Sequence, residues 1–136
     1  MRIVFMGTSE FAVPILKAIL QSRHEVVGVV TQPDKPAGRG RRVRVSPVKQ
    51  VAEEAGVPIY QPEKVRDREF IQLMRELAPD AIVVAAYGQI IPPAILEIPK
   101  FGCINVHASL LPKYRGAAPV HYALFSGENR TGVTTM

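Results

Sequence analysis

Two rhythms of apolar positions alternate along this chain. Short unbroken runs rich in Val, Ile and Ala occur at Arg2–Met6 (RIVFM), Glu25–Thr31 (EVVGVVT), Ala81–Ala86 (AIVVAA) and Cys103–His107 (CINVH), with a brief one at Pro58–Tyr60. Runs of this length, stopped by Gly, Pro or polar residues, predict strands buried on both faces. Between them apolar residues recur at helical spacing. Phe11, Ile15, Ala18 and Ile19 predict a helix after the first strand, entered through the cap-type residues Thr8, Ser9 and Glu10, with Pro14 tolerable only near the first turn. Val48–Ala55 predicts a short helix ended by Gly56, and Phe70, Leu73, Met74 and Leu77 predict another closed by Pro79.

Strand and helix patterns that alternate through short connections predict an α/β fold with a mostly parallel sheet flanked by helices. Ligands of such sheets sit beyond the carboxyl ends of the strands, which singles out three loops: Gly7–Glu10, Tyr87–Pro93 and His107–Pro119. Only Gly7 follows the first strand, so the three glycines of a dinucleotide fingerprint are absent, and no P-loop motif occurs.

Charge changes the picture in one place. Of 17 cations, six lie between Lys35 and Lys49 (Lys35, Arg39, Arg41, Arg42, Arg44, Lys49) with no acid among them, leaving 11 against all 12 acids elsewhere. This stretch also holds Gly38, Gly40, Pro36 and Pro47, which predicts a mobile loop. A strip of Arg on such a loop suits a polyphosphate backbone; a loop kept polar for solubility is the plainer reading. At 136 residues, 47% hydrophobic and with one Cys, the chain is expected to form one domain with no disulfide framework, in a reducing cytoplasm. No apolar run is long enough to span a bilayer, and the first residues do not read as a signal peptide. Three scattered His and a single Cys give no metal site.

Candidate chemistry sits at the end of CINVH. Asn105 and His107 are two apart, so strand alternation puts both on one face at the expected ligand edge. An amide can donate to an oxygen gaining charge, and an imidazole can move a proton to or from an amine, which together suit acyl transfer. The alternative is a pair that satisfies loop backbone groups. The stiff, partly apolar stretch Ser109–Pro119 follows, able to wall a flat ring system or merely to plug the core. Cys103 reads as a buried strand residue, His24 as an exposed turn residue and His121 as a packing residue.

NVHASLLPKYRGAAP resembles the signature of folate-dependent formyltransferases. FMGTSEFAVPIL, TQPDKPAGRGRR and AYGQIIP bring the resemblance closer to members that formylate an aminoacyl-tRNA, and it runs over essentially the whole chain. It implies a Rossmann-like domain that takes 10-formyltetrahydrofolate as co-substrate and initiator methionyl-tRNA as partner; the chain is expected to be a monomer without a metal. Carried over residue by residue, Asn105 would polarise the formyl oxygen and His107 would transfer a proton. Ser109, Leu110, Leu111 and Pro112 would bind the folate, with Tyr87, Gly88, Ile90, Ile91 and Pro92 lining the pterin pocket. Arg39, Arg41, Arg42 and Lys35 would contact the tRNA. Ser9 stands where the family often has Pro. The resemblance also implies a catalytic Asp and a C-terminal β-barrel beyond Met136. Residues 1–136 are thus expected to be the catalytic domain, incomplete at its end and poorly active alone. Asp80 starts its strand, the wrong end of the sheet to substitute. Two other functions compete: a folate-dependent formyltransferase for another amine (an amino sugar or a purine-precursor ribonucleotide), and a noncatalytic RNA-binding module. The second leaves Asn105 and His107 without a purpose and, with 7% aromatics, lacks stacking platforms.

Overall fold

The computed structural model describes residues 1–37, 42–106 and 133–135. Six strands form one sheet in the order β5-β2-β1-β6-β7-β8. Here β1 is Arg2–Gly7, β2 Glu25–Val30, β5 Ile59–Tyr60, β6 Ala81–Ala85, β7 Cys103–Val106 and β8 Val133–Thr135. The first five are mutually parallel, and β8 runs antiparallel to β7 at the edge, pairing Asn105 with Thr134. The continuous apolar runs are explained by this arrangement: all five residues of β6 are buried, and five of the six in β1.

Helices cover both faces. On one, α1 (Val13–Leu20) and α2 (Pro47–Ala55) pack over Phe5, Val29, Val83 and Val106. On the other, α3 (Arg68–Leu77) and the single turn α4 (Pro93–Leu96) pack over Val4, Val30, Ile82 and Cys103. The predicted face of α3 is observed: Phe70 and Met74 are buried, with Leu73 and Leu77 packed against the same cluster. Its last residue passes to Ala78 at φ 48°, and Pro79 bars continuation. For α1 the predicted face is observed except at one position: Ile15 is buried, and Phe11 and Ile19 pack against the same cluster. A 3-10 turn (Glu10–Ala12) comes first, Pro14 falls at the second helical position, and Leu16 is buried whereas Ala18 is exposed.

The cationic segment corrects the expectation of a loop. Lys35–Ala37 (β3) and Arg42–Arg44 (β4) form an antiparallel hairpin, with Pro36 opposite Val43. A two-stranded ribbon is all edge, so Pro36 is tolerated there without a ladder donor. The hairpin runs directly into α2, capped by the Ser46 hydroxyl, which accepts from the Lys49 N–H at 3.0 Å.

Candidate functional site

Sheet topology picks the site before any side chain does. From β1 the chain winds outward through β2 to β5, then returns to the other side of β1 for β6 and β7. The reversal separates the connections leaving β1 and β6 at their carboxyl ends and opens a crevice there. A cleft of about 440 Å³ occupies this place, lined by Ser9 and Phe11 after β1, by Ala86–Gln89 after β6, and by Val84, Asn105 and Val106.

Local backbone shapes the cleft. Gly7 ends β1 where a Cβ would stand 2.7 Å from the Ala85 carbonyl oxygen and 2.9 Å from Ala12 Cβ, so only glycine lets the two central strands and the first helical turn meet. After β6, Ala86 takes φ 49° and Gly88 φ 105°. A left-handed alanine is costly for a residue with a Cβ. It is held by what its carbonyl receives, the Thr8 N–H at 3.1 Å and the Ser9 N–H at 3.4 Å. Thr8 completes the junction. Its hydroxyl donates to the Tyr87 carbonyl at 2.7 Å and accepts from the Gln32 N–H at 3.3 Å, so one side chain joins the ends of β1, β2 and β6.

Beside the cleft lies a chain of amides and charges. Gln89 accepts from the Val65 N–H at 3.0 Å and donates to Gln32 Oε1 at 2.7 Å and to the Pro62 carbonyl at 3.3 Å. Gln61 donates to the Gln32 carbonyl at 3.2 Å and to Asp34 Oδ1 at 2.8 Å, while Lys49 Nζ meets Asp34 Oδ2 at 2.7 Å. The hydrogen bonds from Lys49 and then Gln61 hold the Asp34 carboxyl below its ordinary pKa.

Of the residues singled out in the sequence, the structure brings Asn105, Tyr87 and Gly88 to the cleft. Asn105 is half-buried on β7, in register with Val84. Tyr87 is only 2% exposed: its ring packs with the core beneath the cleft, where burial pushes its hydroxyl pKa upward. Ile90, Ile91 and Pro92 lie outside the lining; Ile90 is 93% exposed, Ile91 packs into the core, and Pro92 precedes α4. His107, Ser109, Leu110, Leu111, Pro112 and His121, with Arg39 and Arg41, fall outside the described residues. Lys35 and Arg42 occupy opposite strands of the hairpin. Cys103 is buried as expected, its thiol pushed up to about 11 by desolvation. His24 is half-buried rather than exposed, because its Nδ1 lies 3.1 Å from the N-terminal amine. Asp80 stands at the opposite edge, accepting the Arg2 N–H at 2.8 Å.

Sequence reasoning passed over Gln32 and Gln61, and it reached Thr8 and Gln89 only as members of the ligand-edge loops Gly7–Glu10 and Tyr87–Pro93, Thr8 also as a cap-type residue. One signal was present: a polar residue follows closely on the apolar run of β1, β2, β5 and β6, where a parallel sheet exposes its carboxyl edge. Among the described residues no group of three or more His, Cys, Asp or Glu gathers to hold a metal, and no helix is long and apolar enough to cross a membrane.

A five-stranded parallel core in the order 3-2-1-4-5, with a cleft at its switch point, defines a Rossmann-like ligand-binding domain. The chain belongs to the formyl transferase family, whose profile matches residues 1–136. It is 60% identical to a methionyl-tRNA formyltransferase of Pelotomaculum thermopropionicum and 61% identical to one of Clostridioides difficile. Both alignments take in 100% of this chain but 44% of the relative, so the chain spans less than half the length of the curated relatives it matches. Among solved structures, glycinamide ribonucleotide transformylase 1 from Symbiobacterium toebii is similar at TM-score 0.61 and 20% identity, covering 95% of this chain and 61% of that one. A formyltetrahydrofolate deformylase from Pseudomonas syringae is similar at TM-score 0.55 and 24% identity, covering 94% and 42%. Likeness at these identities speaks for the fold.

Proposed function

We propose that this chain is the donor-binding catalytic domain of a methionyl-tRNA formyltransferase, which moves a formyl group from 10-formyltetrahydrofolate to the α-amine of methionine esterified to initiator tRNA. The observation that carries the reading is Asn105 on the wall of the switch-point cleft, within a family defined by formyl transfer. A cleft of about 440 Å³ with main-chain groups on one wall and apolar residues Phe11 and Val84 on others fits a flat, hydrogen-bonding ring.

In the reaction the amine nitrogen bonds to the formyl carbon and the bond from that carbon to the folate nitrogen breaks. The amine loses a proton and the folate nitrogen gains one. Negative charge gathers on the formyl oxygen as the amine attacks, and the Asn105 amide is the donor this chain offers to it. His107, which sequence alternation puts on the same face, is assigned the proton. Folate contacts are assigned to Tyr87 and Gly88 on the cleft wall, with Ser109, Leu110, Leu111 and Pro112, while Ile90, Ile91 and Pro92 support that loop. The hairpin bearing Lys35 and Arg42, with Arg39 and Arg41, is assigned to the tRNA backbone. The high identity to methionyl-tRNA formyltransferases and the cationic hairpin favour an RNA-linked amine over an amino sugar or a free ribonucleotide.

The test is a pair of titrations. A hydrolysis-resistant 10-formyltetrahydrofolate analogue should bind saturably, and initiator methionyl-tRNA should bind with an affinity that falls steeply as salt rises and weakens in Arg39→Ala. Analogue binding without salt-sensitive RNA binding would point to another amine acceptor. RNA binding without analogue binding would leave an RNA-binding module.

A further inference from the structure

The cationic hairpin is fastened at its neck by two side-chain ties that join residues fifteen apart. Thr31 and Ser46 hydroxyls meet at 2.7 Å, and Asp34 and Lys49 meet at 2.7 Å. Asp34 directly precedes β3, while Ser46 and Lys49 lie at and just inside the start of α2, two and five residues beyond β4. The second tie is partly shielded, with side-chain exposures of 27% for Asp34 and 15% for Lys49. Gln61 adds a third contact. One amide nitrogen donates both to Asp34 and to the Gln32 carbonyl, and Gln32 is in turn bonded to Gln89 on the cleft wall. Hairpin neck and cleft wall therefore share one unbroken series of hydrogen bonds.

We propose that Asp34, Lys49 and Gln61 form a positioning clamp, which sets the hairpin at a fixed place relative to the cleft so that RNA held by its cations delivers the amine there. The inference rests on the functional reading above. Physically, a hairpin whose two legs are tied at the neck has already lost part of the freedom that RNA binding would otherwise remove, and its neck shares one frame with the cleft. Asp34 is the only acid in the stretch from Thr31 to Gln50, so its presence among cations weakens rather than strengthens simple attraction to phosphate.

That opposition makes Asp34→Asn decisive. The change adds a unit of positive charge beside the hairpin, which by attraction alone tightens RNA binding. A clamp predicts the reverse, because Asn offers one acceptor oxygen to two donors, so its NH₂ faces either the Lys49 ammonium or the Gln61 amide and one tie is lost. The expected result is a roughly tenfold weaker dissociation constant for initiator methionyl-tRNA with folate-analogue binding unchanged. Lys49→Arg, which keeps charge and donor, should bind tRNA nearly as the parent does, and Lys49→Met should not. Limited trypsin digestion supplies a readout independent of RNA: cleavage after Arg42 and Arg44 should accelerate about tenfold in Asp34→Asn and little in Lys49→Arg. Equal or tighter tRNA binding by Asp34→Asn overturns the clamp. Should the parent chain itself fail to bind tRNA, the functional reading fails separately. Digestion then judges the tie alone, and an unaccelerated rate in Asp34→Asn overturns it.

Discussion

Two concavities of similar size lie at opposite edges of the same sheet, and only one has the makings of a site. At the amino edge a hollow of about 530 Å³ is lined by Arg75, Ala78, Pro79, Asp80, Ala94, Glu97, Ile98 and Lys100. It is the larger, and it holds more ionisable groups than the cleft of about 440 Å³ at the carboxyl edge. Its one half-buried ionisable group, Asp80, is occupied with the fold. Asp80 accepts the Arg2 N–H, and the Arg2 guanidinium donates to the Leu77 and Ala78 carbonyls at 2.6 and 3.3 Å, closing the end of α3. At the carboxyl edge the backbone itself is turned: Ala86 and Gly88 are left-handed and the chain ends at Thr8 and Tyr87 are tied together. Each hollow holds one left-handed alanine, Ala78 at φ 48° and Ala86 at φ 49°, so strain does not separate them; volume and charge alone would choose the wrong hollow, and strand direction chooses the other.

The sharpest way to break this contrast is Asn105→Ala. At the carboxyl edge it should lower the formyl-transfer rate by about a hundredfold or more. A rate within a few-fold of the parent would remove Asn105 from the chemistry and reduce the cleft to a fold-level analogy. Next in size is Gly7→Ala. The added methyl would stand 2.7 Å from both the Ala85 carbonyl oxygen and Phe5 Cε2, and the carbonyl cannot yield without moving the central strand pair. Overpacking of this kind costs about 1–3 kcal/mol, to be read from denaturant midpoints. An unchanged midpoint would show that the junction between β1 and β6 is slack.

Asp80→Ala is the matching change at the amino edge. Removing an acceptor from the Arg2 N–H should cost about 1 kcal/mol of stability and leave folate-analogue affinity within twofold. Loss of analogue binding there would bring the amino-edge hollow back into contention.

How far the sequence disclosed these regions follows from the range of the interactions that build them. RIVFM, EVVGVV and AIVVA announce buried strands because each residue's fate depends on one local property, its apolarity, and burial on both faces makes the pattern continuous. Asn105 was legible for a similar reason, since strand alternation reports a face. The hairpin was not. Pro36 and the glycines argue locally for a loop, and only the register with Arg42–Arg44 makes the segment extended. The amide chain is harder still, because Gln32, Gln61 and Gln89 stand nearly thirty residues apart and meet through the winding of the sheet. Their one local mark is that each follows closely on a strand's apolar run, which places it at the carboxyl edge but does not say which partner it meets.

The smallest expected effect concerns acid, and it sharpens the contrast by probing the tie beside the cleft. Hydrogen bonds from Lys49 and Gln61 favour the ionised form of Asp34, so its pKa is lower in the folded chain than in the unfolded one. A group with a lowered folded value contributes stability that is fully present above its unfolded value, near pH 4, and fades as pH falls through the folded value. The tie is therefore closed at neutral pH and opens below the ordinary carboxylate range. Because the pair is partly exposed, solvent and salt screen it, and the change in overall stability should be slight. The place to look is local. The Gln61 side-chain amide resonances should shift with a midpoint below about pH 4 in the parent and show no such step in Asp34→Asn. A midpoint at or above that value would mean that neither Lys49 nor Gln61 holds the carboxylate in solution, and the neck would be tied through Thr31 and Ser46 alone.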